Sequence, residues 1–378
     1  MRQGIAFQHS TCRERTGSTE AFFAGTARGL IGSSRLDPRY EIRAVTHDDE
    51  DDLLELARYL DSVNLPAERD EMQPIIALSD DSFSGAIADP RHRRYVFVLR
   101  DLHEDRAVGS SMIVSQLGRR DAPYIFYSVR EEERYSSTVD KHFIHKVLKI
   151  GYSYDGPTEI GGLVMHPEYR RVAEKLGMQI SYVRFLFIAM RRAEFQNYVL
   201  AELMPPLAED GTSHLWEAVG RHFTGMTYRE ADRLSRRNKE FIRGLFPPGD
   251  IYASLLPADA QAVIGKVGRD TRGVEKLLRR IGFEYVDRVD PFDGGPHFAG
   301  KTDKISLIRD AGARTIALDA NVVDASRALV ARTYPSSPWF KAIAVPARID
   351  DAEVALAPAA ARHLELAAGD TAWVLPLT

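Results

Sequence analysis

The residues best suited to bind a charged ligand lie in the segment EIGGLVMHPEYRR, residues 159–171. Its apolar part predicts a β-strand that ends at the His-Pro pair, because proline donates no backbone hydrogen bond and restricts the residue before it. Arg170 and Arg171 then precede a predicted long helix, and arginines near a helix N-terminus favour phosphates and other anions. Gly161 and Gly162 let a ligand approach the strand, or allow a β-bulge. A core strand followed by two surface arginines is the alternative interpretation.

This order of elements is similar to that of the acyl-CoA acetyltransferases of the GNAT superfamily, in which a strand, a basic turn, a helix and a second strand follow one another. Their coenzyme A carries a pyrophosphate and a pantetheine arm, whose two amides can pair with a strand edge. The usual glycine-rich turn is reduced here to RRVAEKLG, which keeps only Gly177. The later segment GVEKLLRRIGFEYV resembles the end of many GNAT domains, where a helix stops at Gly-Phe before a strand.

The composition excludes several classes of protein. The chain has 378 residues, 44% of them hydrophobic and 28% charged, as expected for a globular protein with about two or three hydrophobic cores. A net charge of −4 argues against non-specific binding to nucleic acid. No apolar run approaches the about eighteen residues that a membrane span needs. The single cysteine, Cys12, excludes an intramolecular disulfide and suits a reducing cytoplasm, and we assign it no catalytic role.

The pattern along the chain predicts three regions. Residues 1–39 are rich in Arg, Ser, Gly and Thr and lack an apolar signal segment, so we predict a disordered extension or a misassigned start, with a transit peptide as the alternative. Residues 40–309 alternate strand-like and helical segments, which predicts an α+β or α/β fold with helices on both faces of a mixed sheet. Residues 310–378 contain short apolar runs separated by Pro and Gly-Asp, which predicts a small C-terminal all-β subdomain.

From about Tyr40 to the C-terminus, the chain resembles the bacterial arginine N-succinyltransferases, which include the arginine/ornithine succinyltransferase subunits. The resemblance rests on segments in the same order and spacing, among them LVMHPEYRR, SYVRFLFIAM, SHLWEAVGRHFTGM, KEFIRGLFP, AQAVIGKV and FDGGP. It implies a GNAT-like acyltransferase fold with an extra C-terminal all-β subdomain. It also implies transfer of the succinyl group of succinyl-CoA to the α-amino group of arginine, the first step of ammonia-producing arginine catabolism. Since the family forms multimers, we expect a homo- or hetero-oligomer.

The resemblance also implies where the coenzyme binds. The family's succinyl-CoA contact is a strand leucine that corresponds to Leu163, and the arginines after the strand would meet the phosphates. The predicted cofactor-binding residues are Leu163, Val164, Arg170, Arg171 and Gly177. Succinyl-CoA is expected as a co-substrate, with no permanently bound cofactor and no metal, because no Cys/His spacing suits zinc.

The family's catalytic acid is not carried over. Its proton-donor histidine corresponds to Gly268, and the arginine of its Ala-Glu-Met-Arg-Gly run is replaced by Met204. A thiol with a pKa of about 8.5 is a tolerable leaving group. Loss of the acid is therefore expected to slow the transfer about 10²- to 10⁴-fold without abolishing it. Restoring a histidine at position 268 is then expected to raise the rate.

Two histidines are candidates to replace that acid. His297 follows the FDGGP turn and His166 ends the predicted cofactor strand, with a surface-loop histidine and an ordinary polar strand end as the alternatives. Glu202 and Asp293 are candidates to bind a cationic substrate. Their alternatives are an ion pair with an internal arginine for Glu202 and a turn-forming role for Asp293.

Three hypotheses for the function follow. The first is a succinyl-CoA-dependent N-acyltransferase that acts on arginine or a related amine. The second keeps the fold and coenzyme A but changes the acyl donor or the amine acceptor, because the family's histidine and arginine are replaced. The third is a non-catalytic subunit, or an acyl-CoA-binding regulator, that pairs with an active homologue.

Overall fold

The computed structural model describes residues 37–59, 65–119 and 122–377 of the chain. Nearly all of the predicted N-terminal extension, including Cys12, lies outside the described residues. Within them, no helix combines the length and the apolar character that crossing a membrane requires.

The described residues form fifteen strands and ten α-helices. In chain order, the strands are Tyr40–Ala44 (β1), Arg94–Asp101 (β2), Arg106–Val114 (β3), Tyr124–Ser136 (β4), Lys141–Ser153 (β5), Thr158–Met165 (β6), Tyr198–Glu202 (β7), Asp250–Tyr252 (β8), Glu284–Val289 (β9), Pro296–Lys301 (β10), Gly312–Leu318 (β11), Arg327–Thr333 (β12), Phe340–Ile349 (β13), Glu353–Leu356 (β14) and Thr371–Pro376 (β15). The helices are Glu50–Ala57 (α1), Arg69–Ser84 (α2), Leu176–Met190 (α3), Arg221–Thr224 (α4), Tyr228–Arg237 (α5), Glu240–Leu245 (α6), Ala258–Val263 (α7), Arg272–Ile281 (α8), Ser306–Asp310 (α9) and Pro358–His363 (α10).

The strands join into one sheet in the order β12-β15-β11-β14-β13-β1-β2-β3-β6-β7-β10-β9-β4-β5-β8. Neighbouring strands are antiparallel except for β6 with β7 and β11 with β14, which are parallel. The predicted mixed sheet is thereby confirmed. The parallel pair β6–β7 lies near the middle of the sheet, with helix α3 between its two strands in the chain.

Helices cover both faces of the central strands, as predicted. Helix α3 packs against Phe97 and its neighbours on one face, whereas α1 and α2 pack against Val96 and Val98 on the other. The side chains of successive β2 residues thus point to opposite faces of the sheet, as expected for a β-strand. Helix α3 presents no polar side to solvent, and residues such as Ile180 and Phe187 are almost fully buried. The long apolar run in the sequence is therefore a core helix.

The C-terminal strands β11 to β15 close into a five-stranded barrel, because β12 pairs with both β15 and β13. Its interior is apolar and includes Ile316, Val330, Ile343 and Val374. Strand β13 also pairs with β1, so the barrel is continuous with the central sheet. The sequence predicted a small all-β subdomain but not this closure, and the proposed domain boundary at residues 309–310 stays a prediction.

Candidate functional site

Strands β6 and β7 run parallel but separate soon after they begin. Their pairing is limited to residues 158–159 of β6 with residues 199–200 of β7. Beyond this point, β6 pairs with β3 and β7 pairs with β10. From Gly161 onward, the edge of β6 that faces β7 has no strand partner among the described residues. The two strands therefore bound an opening in the middle of the sheet.

A β-bulge lies in β6 at this opening. The register between β3 and β6 shifts between Ser110 and Met112, which leaves Gly162 and Leu163 outside the regular pairs. Gly162 has a φ of 56°, a conformation that costs other residues energy. A Cβ at this position would lie 3.0 Å from Cε of Met112. Gly162 is thus explained by the bulge, the second of the two interpretations that the strand allowed.

The predicted coenzyme contacts on β6 face in opposite directions. Leu163 is partly buried and packs against the core cluster that contains α3. Val164 is 4% exposed and packs with α1 and α2 on the other face of the sheet. Only the backbone of Val164 is therefore available to a ligand in the opening, while the side chain of Leu163 lies on the α3 face.

The predicted phosphate-binding residues lie between β6 and α3. Arg170 and Arg171 are both exposed, and Nε of Arg170 donates a hydrogen bond to the carbonyl oxygen of Met165 over 3.1 Å. Gly177 lies in the first turn of α3, where an added Cβ would make only an ordinary contact at 3.7 Å. The exposed guanidinium groups and the N-terminus of a fifteen-residue helix can together hold an anion.

His166 lies apart from the other candidate histidine. It is 7% exposed, and its Nε2 is 3.3 Å from Oε1 of Glu55 in helix α1. Its ring also makes an edge contact with Tyr59, with 5.4 Å between ring centroids. His166 therefore contacts the residues of α1 and those just after it, whereas the contacts of His297 come from β4 and β7.

His297 is fully buried on strand β10, so it is not a surface-loop histidine. It pairs in register with Glu202 of β7, and its Nε2 lies 3.4 Å from Oε1 of that glutamate without a hydrogen-bond partner. Its Nδ1 lies 2.6 Å from the hydroxyl of Tyr124, the first residue of β4. Three strands thus bring together an imidazole, a carboxylate and a phenol.

Burial changes the acid–base properties of these groups. It lowers the pKa of His297 to about 3, and the positive charges of Arg288 and Lys239 act in the same direction. It raises the pKa of Glu202 well above its ordinary value, and the neighbouring carboxylates Glu159 and Asp290 raise it further. The Glu202 side chain nevertheless keeps 33% of its surface exposed. The site therefore pairs a neutral histidine with a carboxyl group that solvent reaches and that holds its proton unusually tightly.

The segment DPFDGG, residues 290–295, adds two more carboxyl groups. Asp290 Oδ1 accepts a hydrogen bond of 2.6 Å from the amide of Phe292, and Asp293 Oδ1 accepts one of 2.7 Å from the amide of Gly295. Asp293 therefore has the turn-forming role given as its alternative. Burial raises the pKa of both aspartates. Both side chains are only partly buried, so their carboxyl oxygens can still contact a cation.

Ligand atoms of Glu202, Asp290 and His297 all lie within 4.8 Å of one another. Such a group can hold an ammonium, a guanidinium or a metal ion. Among the described residues, no arginine forms an ion pair with Glu202, so the structure does not support the alternative interpretation of an internal ion pair. The sequence did not single out Asp290 or Tyr124. The motif D-P-F-D-G-G-P could have suggested Asp290, but Tyr124 lies 173 residues from His297 and no local signal marks it.

Gly268, which occupies the position of the family's histidine, lies against the chain just after β7. Its amide donates a hydrogen bond of 2.9 Å to the carbonyl oxygen of Met204, two residues beyond Glu202. A Cβ at Gly268 would lie 2.8 Å from the carbonyl oxygen of Pro205 and 2.9 Å from that of Met204. The structure thus opposes the expectation that a histidine placed here would raise the rate, because backbone atoms fill the space for its side chain.

We expect Gly268→Ala to lower the free energy of unfolding by about 1–3 kcal/mol, because the backbone must shift to admit the new methyl group. The matched control is Gly273→Ala in helix α8, where an added Cβ meets nothing within 4 Å. That change is expected to be neutral or to stabilise by up to about 1 kcal/mol. Urea unfolding of both variants measures the difference, and equal stabilities would contradict the close contact at Gly268.

Comparisons with known proteins give the following matches. Residues 40–307 match the family model described as the arginine N-succinyltransferase beta subunit, and residues 313–376 match that of its C-terminal domain. Arginine N-succinyltransferase of Yersinia pestis (strain Pestoides F) is 32% identical over 345 residues, which cover 89% of this chain and 97% of that protein. Arginine N-succinyltransferase subunit beta of Pseudomonas aeruginosa is 32% identical over 340 residues, which cover 89% of this chain and 98% of that protein.

A solved structure shares the fold. Arginine/ornithine succinyltransferase subunit AI from Pseudomonas aeruginosa superposes with a TM-score of 0.77 at 24% sequence identity. The superposition covers 90% of this chain and 99% of that one.

Proposed function

Because the chain belongs to the family of arginine N-succinyltransferase beta subunits, we propose that it transfers the succinyl group of succinyl-CoA to the α-amino group of arginine. The chain spans nearly the full length of its named relatives. Succinyl-CoA is a co-substrate in this proposal, and the GNAT-like cleft between β6 and β7 receives its thioester. A cytoplasmic homo- or hetero-oligomer is proposed with it.

The observation that carries the proposal is the acidic cluster beside the opening. The pairing of Glu159 with Leu200 places Gly161 and Glu202, two residues further along each strand, at the same level on either side of the gap. The residue just before the bulge therefore faces a carboxylate across the opening. Asp290, two residues before the FDGGP turn, brings a carboxylate oxygen within 4.8 Å of ligand atoms of Glu202 and His297, and adds negative charge for a cationic acceptor such as arginine.

In the proposed reaction, Glu202 accepts a proton from the α-ammonium group of arginine. The neutral amine attacks the thioester carbonyl carbon, a C–N bond forms, and the C–S bond breaks as the coenzyme leaves as a thiolate. The attached nitrogen gives up its second proton, which the thiolate takes up to become the thiol. A carboxyl group with a raised pKa is a better base for an ammonium group than an ordinary carboxylate. The bulge at Gly162 leaves strand backbone outside the β3 register, where it can meet the carbonyl oxygen as negative charge develops.

His297 acts in this mechanism as a neutral neighbour of Glu202. Burial raises the pKa of Tyr124, so its phenol keeps its proton and can donate it to Nδ1 of His297. The ring then carries its own proton on Nε2, which faces the Glu202 carboxylate. The ring thus lies beside the base as a neutral group, because His297 is too weak a base to remain protonated near neutral pH.

The test measures thiol release from succinyl-CoA by the purified full-length protein with arginine, ornithine, lysine and other amines. Turnover with arginine, and not with ornithine or lysine, is the expected result. Turnover only with another amine or another acyl-CoA would support the second hypothesis, which the absence of a side chain at Gly268 favours. Binding of succinyl-CoA without thiol release in every combination would contradict the proposal and support a non-catalytic subunit.

A further inference from the structure

Arg184 lies in the middle of helix α3 and is 3% exposed. Its Nε donates to the carbonyl oxygen of Ser181 over 3.1 Å, and one terminal nitrogen donates to Oγ of the same serine over 2.8 Å. The other terminal nitrogen donates to the carbonyl oxygen of Gly161 over 3.4 Å. A guanidinium group carries more N–H donors than these bonds use. Arg184 therefore keeps donors for a further partner.

No carboxylate among the described residues forms an ion pair with Arg184, and burial lowers its pKa to about 9 without an opposing negative charge. By contrast Arg43, the other buried arginine among the described residues, forms an ion pair with Asp49. A buried charge without a counter-ion is costly, and arginine is rarely buried unless it is paired. The described part of the chain thus provides a buried cation and leaves its anion to be supplied.

The position of Arg184 indicates which anion this is. Its hydrogen bond to Gly161 places the guanidinium group beside the residue that precedes the bulge, where the opening between β6 and β7 begins. Leu163, the predicted succinyl-CoA contact, also packs on the α3 face of β6. An acyl group whose thioester lies at the bulge would therefore extend past the guanidinium group on this face.

The acidic cluster lies on the opposite face of the sheet. In β7, Val199 and Ala201 pack with α3, whereas Leu200 packs with Tyr124 on the other side. Because successive strand residues alternate between faces, Glu202 shares the face of Leu200. The opening thus has a positive group on its α3 face and negative groups on the other, which fits an anionic acyl donor on the first and a cationic amine on the second.

We propose that Arg184 binds the terminal carboxylate of the acyl group and thereby selects dicarboxylic acyl-CoA thioesters such as succinyl-CoA over neutral ones. This inference rests on the proposed function, whose acyl donor it specifies. A charge-assisted hydrogen bond to a buried carboxylate adds about 10- to 100-fold in affinity. Arg184 is then the residue that determines donor specificity, and Glu202 the residue that acts on the acceptor.

The experiment compares succinyl-CoA with butyryl-CoA, which has the same four-carbon acyl chain without the carboxylate. Calorimetry measures binding, and thiol release with arginine measures kcat/KM, for the wild type and for Arg184→Met. We expect the wild type to prefer succinyl-CoA by about 10- to 100-fold. The variant should lose this preference through weaker binding of succinyl-CoA, with butyryl-CoA affinity unchanged. Arg191→Met, at the half-exposed C-terminal end of α3, is the matched control and should leave both affinities unchanged.

Each outcome decides the question. If a folded Arg184→Met variant lost affinity for both thioesters to the same extent, Arg184 would be a structural link between α3 and β6, and the inference would be overturned. If the variant fails to fold, the wild type decides, because equal affinity for the two thioesters would exclude a carboxylate-binding site. Selective binding of succinyl-CoA without turnover of any amine would uphold the inference and refute the proposed function. Equal turnover of both thioesters with arginine would refute the inference and uphold the proposed transfer to arginine.

Discussion

Replacing Glu202 by glutamine is expected to lower kcat/KM for arginine and succinyl-CoA by about 10²- to 10⁴-fold, the range for losing a general base. Glutamine has the same shape but cannot accept the proton of the attacking ammonium group. Since the side chain of Glu202 reaches solvent and faces Nε2 of the buried His297, the substitution removes the basic group without opening a cavity. Thiol-release kinetics under saturating and limiting arginine measure the loss.

The pH dependence separates a catalytic role of Glu202 from a structural one. The pKa of Glu202 is raised in the folded protein, and its deprotonated form is the active one, so the rate of the wild type should rise with pH through that raised pKa. The rate of the Glu202→Gln variant should lose this rise, and should depend on pH only through the ionisation of the α-amino group of free arginine. The same raised pKa means that the carboxyl group favours folding when it is protonated, and that this contribution decreases as pH increases.

The matched control is Glu284→Gln on strand β9, where the side chain is exposed. This variant should keep wild-type kcat/KM and the wild-type pH profile. An activity of Glu202→Gln within a few-fold of the wild type, with the pH profile intact, would contradict the assignment of Glu202 as the base. Equal losses in both variants would point to a general electrostatic effect.

Replacing Trp216 by alanine is expected to lower the free energy of unfolding by about 3–5 kcal/mol, as for other large-to-small changes of buried aromatic residues. Trp216 is fully buried and stacks on Phe292 with 5.0 Å between ring centroids and 5° between ring planes. Its Nε1 donates to the carbonyl oxygen of Met226 over 2.9 Å. The substitution therefore leaves a cavity and removes the donor to the partly buried carbonyl of Met226.

Activity should decrease in the same variant, because Trp216 supports the turn that carries the acidic groups. Phe292 lies between Asp290 and Asp293, and its carbonyl oxygen accepts a hydrogen bond of 2.7 Å from Ser213. When the ring beneath Phe292 is lost, the turn can shift, and the two aspartates shift with it. The value of KM for arginine should rise more than kcat falls, since the turn binds the acceptor in the proposed mechanism.

Chemical unfolding and steady-state kinetics of three variants test this second prediction. Trp216→Phe keeps an aromatic ring against Phe292 and should lose less stability than Trp216→Ala. Phe223→Ala is the control, because Phe223 is 42% exposed and its ring centroid lies 6.0 Å from that of Phe246 in the same region. A loss below about 1 kcal/mol for Trp216→Ala would show that the stacked pair does not hold the turn.

Several elements followed from the sequence because neighbouring residues determine them. Strand β6 ends at Met165 just before the His-Pro pair, where proline prevents further pairing. Helix α3 follows from a long apolar run, and its burial on all sides follows from the lack of a polar face. The Gly-Gly pair allowed the bulge at Gly162, and the order of the motifs was sufficient to indicate the family.

The arrangement of the site required the tertiary structure. His297, Glu202 and Tyr124 come from three strands, and only the folded sheet brings the Tyr124 hydroxyl to 2.6 Å from Nδ1 of His297 and Oε1 of Glu202 to 3.4 Å from its Nε2. The steric restriction at Gly268 depends on two carbonyl groups that belong to the segment after β7. In the sequence, Arg184 only interrupts an apolar helical segment. Its hydrogen bond to Gly161 in the structure shows that it is a buried cation at the opening.

The physical reason for this division is the range of the interactions. Backbone preferences and hydrophobic periodicity act over a few residues, so a single segment is enough to predict a strand, a helix or its end. A pKa shift, a steric contact or an unpaired charge depends on atoms that are distant in the chain and meet only when the sheet has formed. The sequence by itself therefore determined the elements and the family, whereas the base, the acidic turn and the buried arginine were decided by how the strands pair.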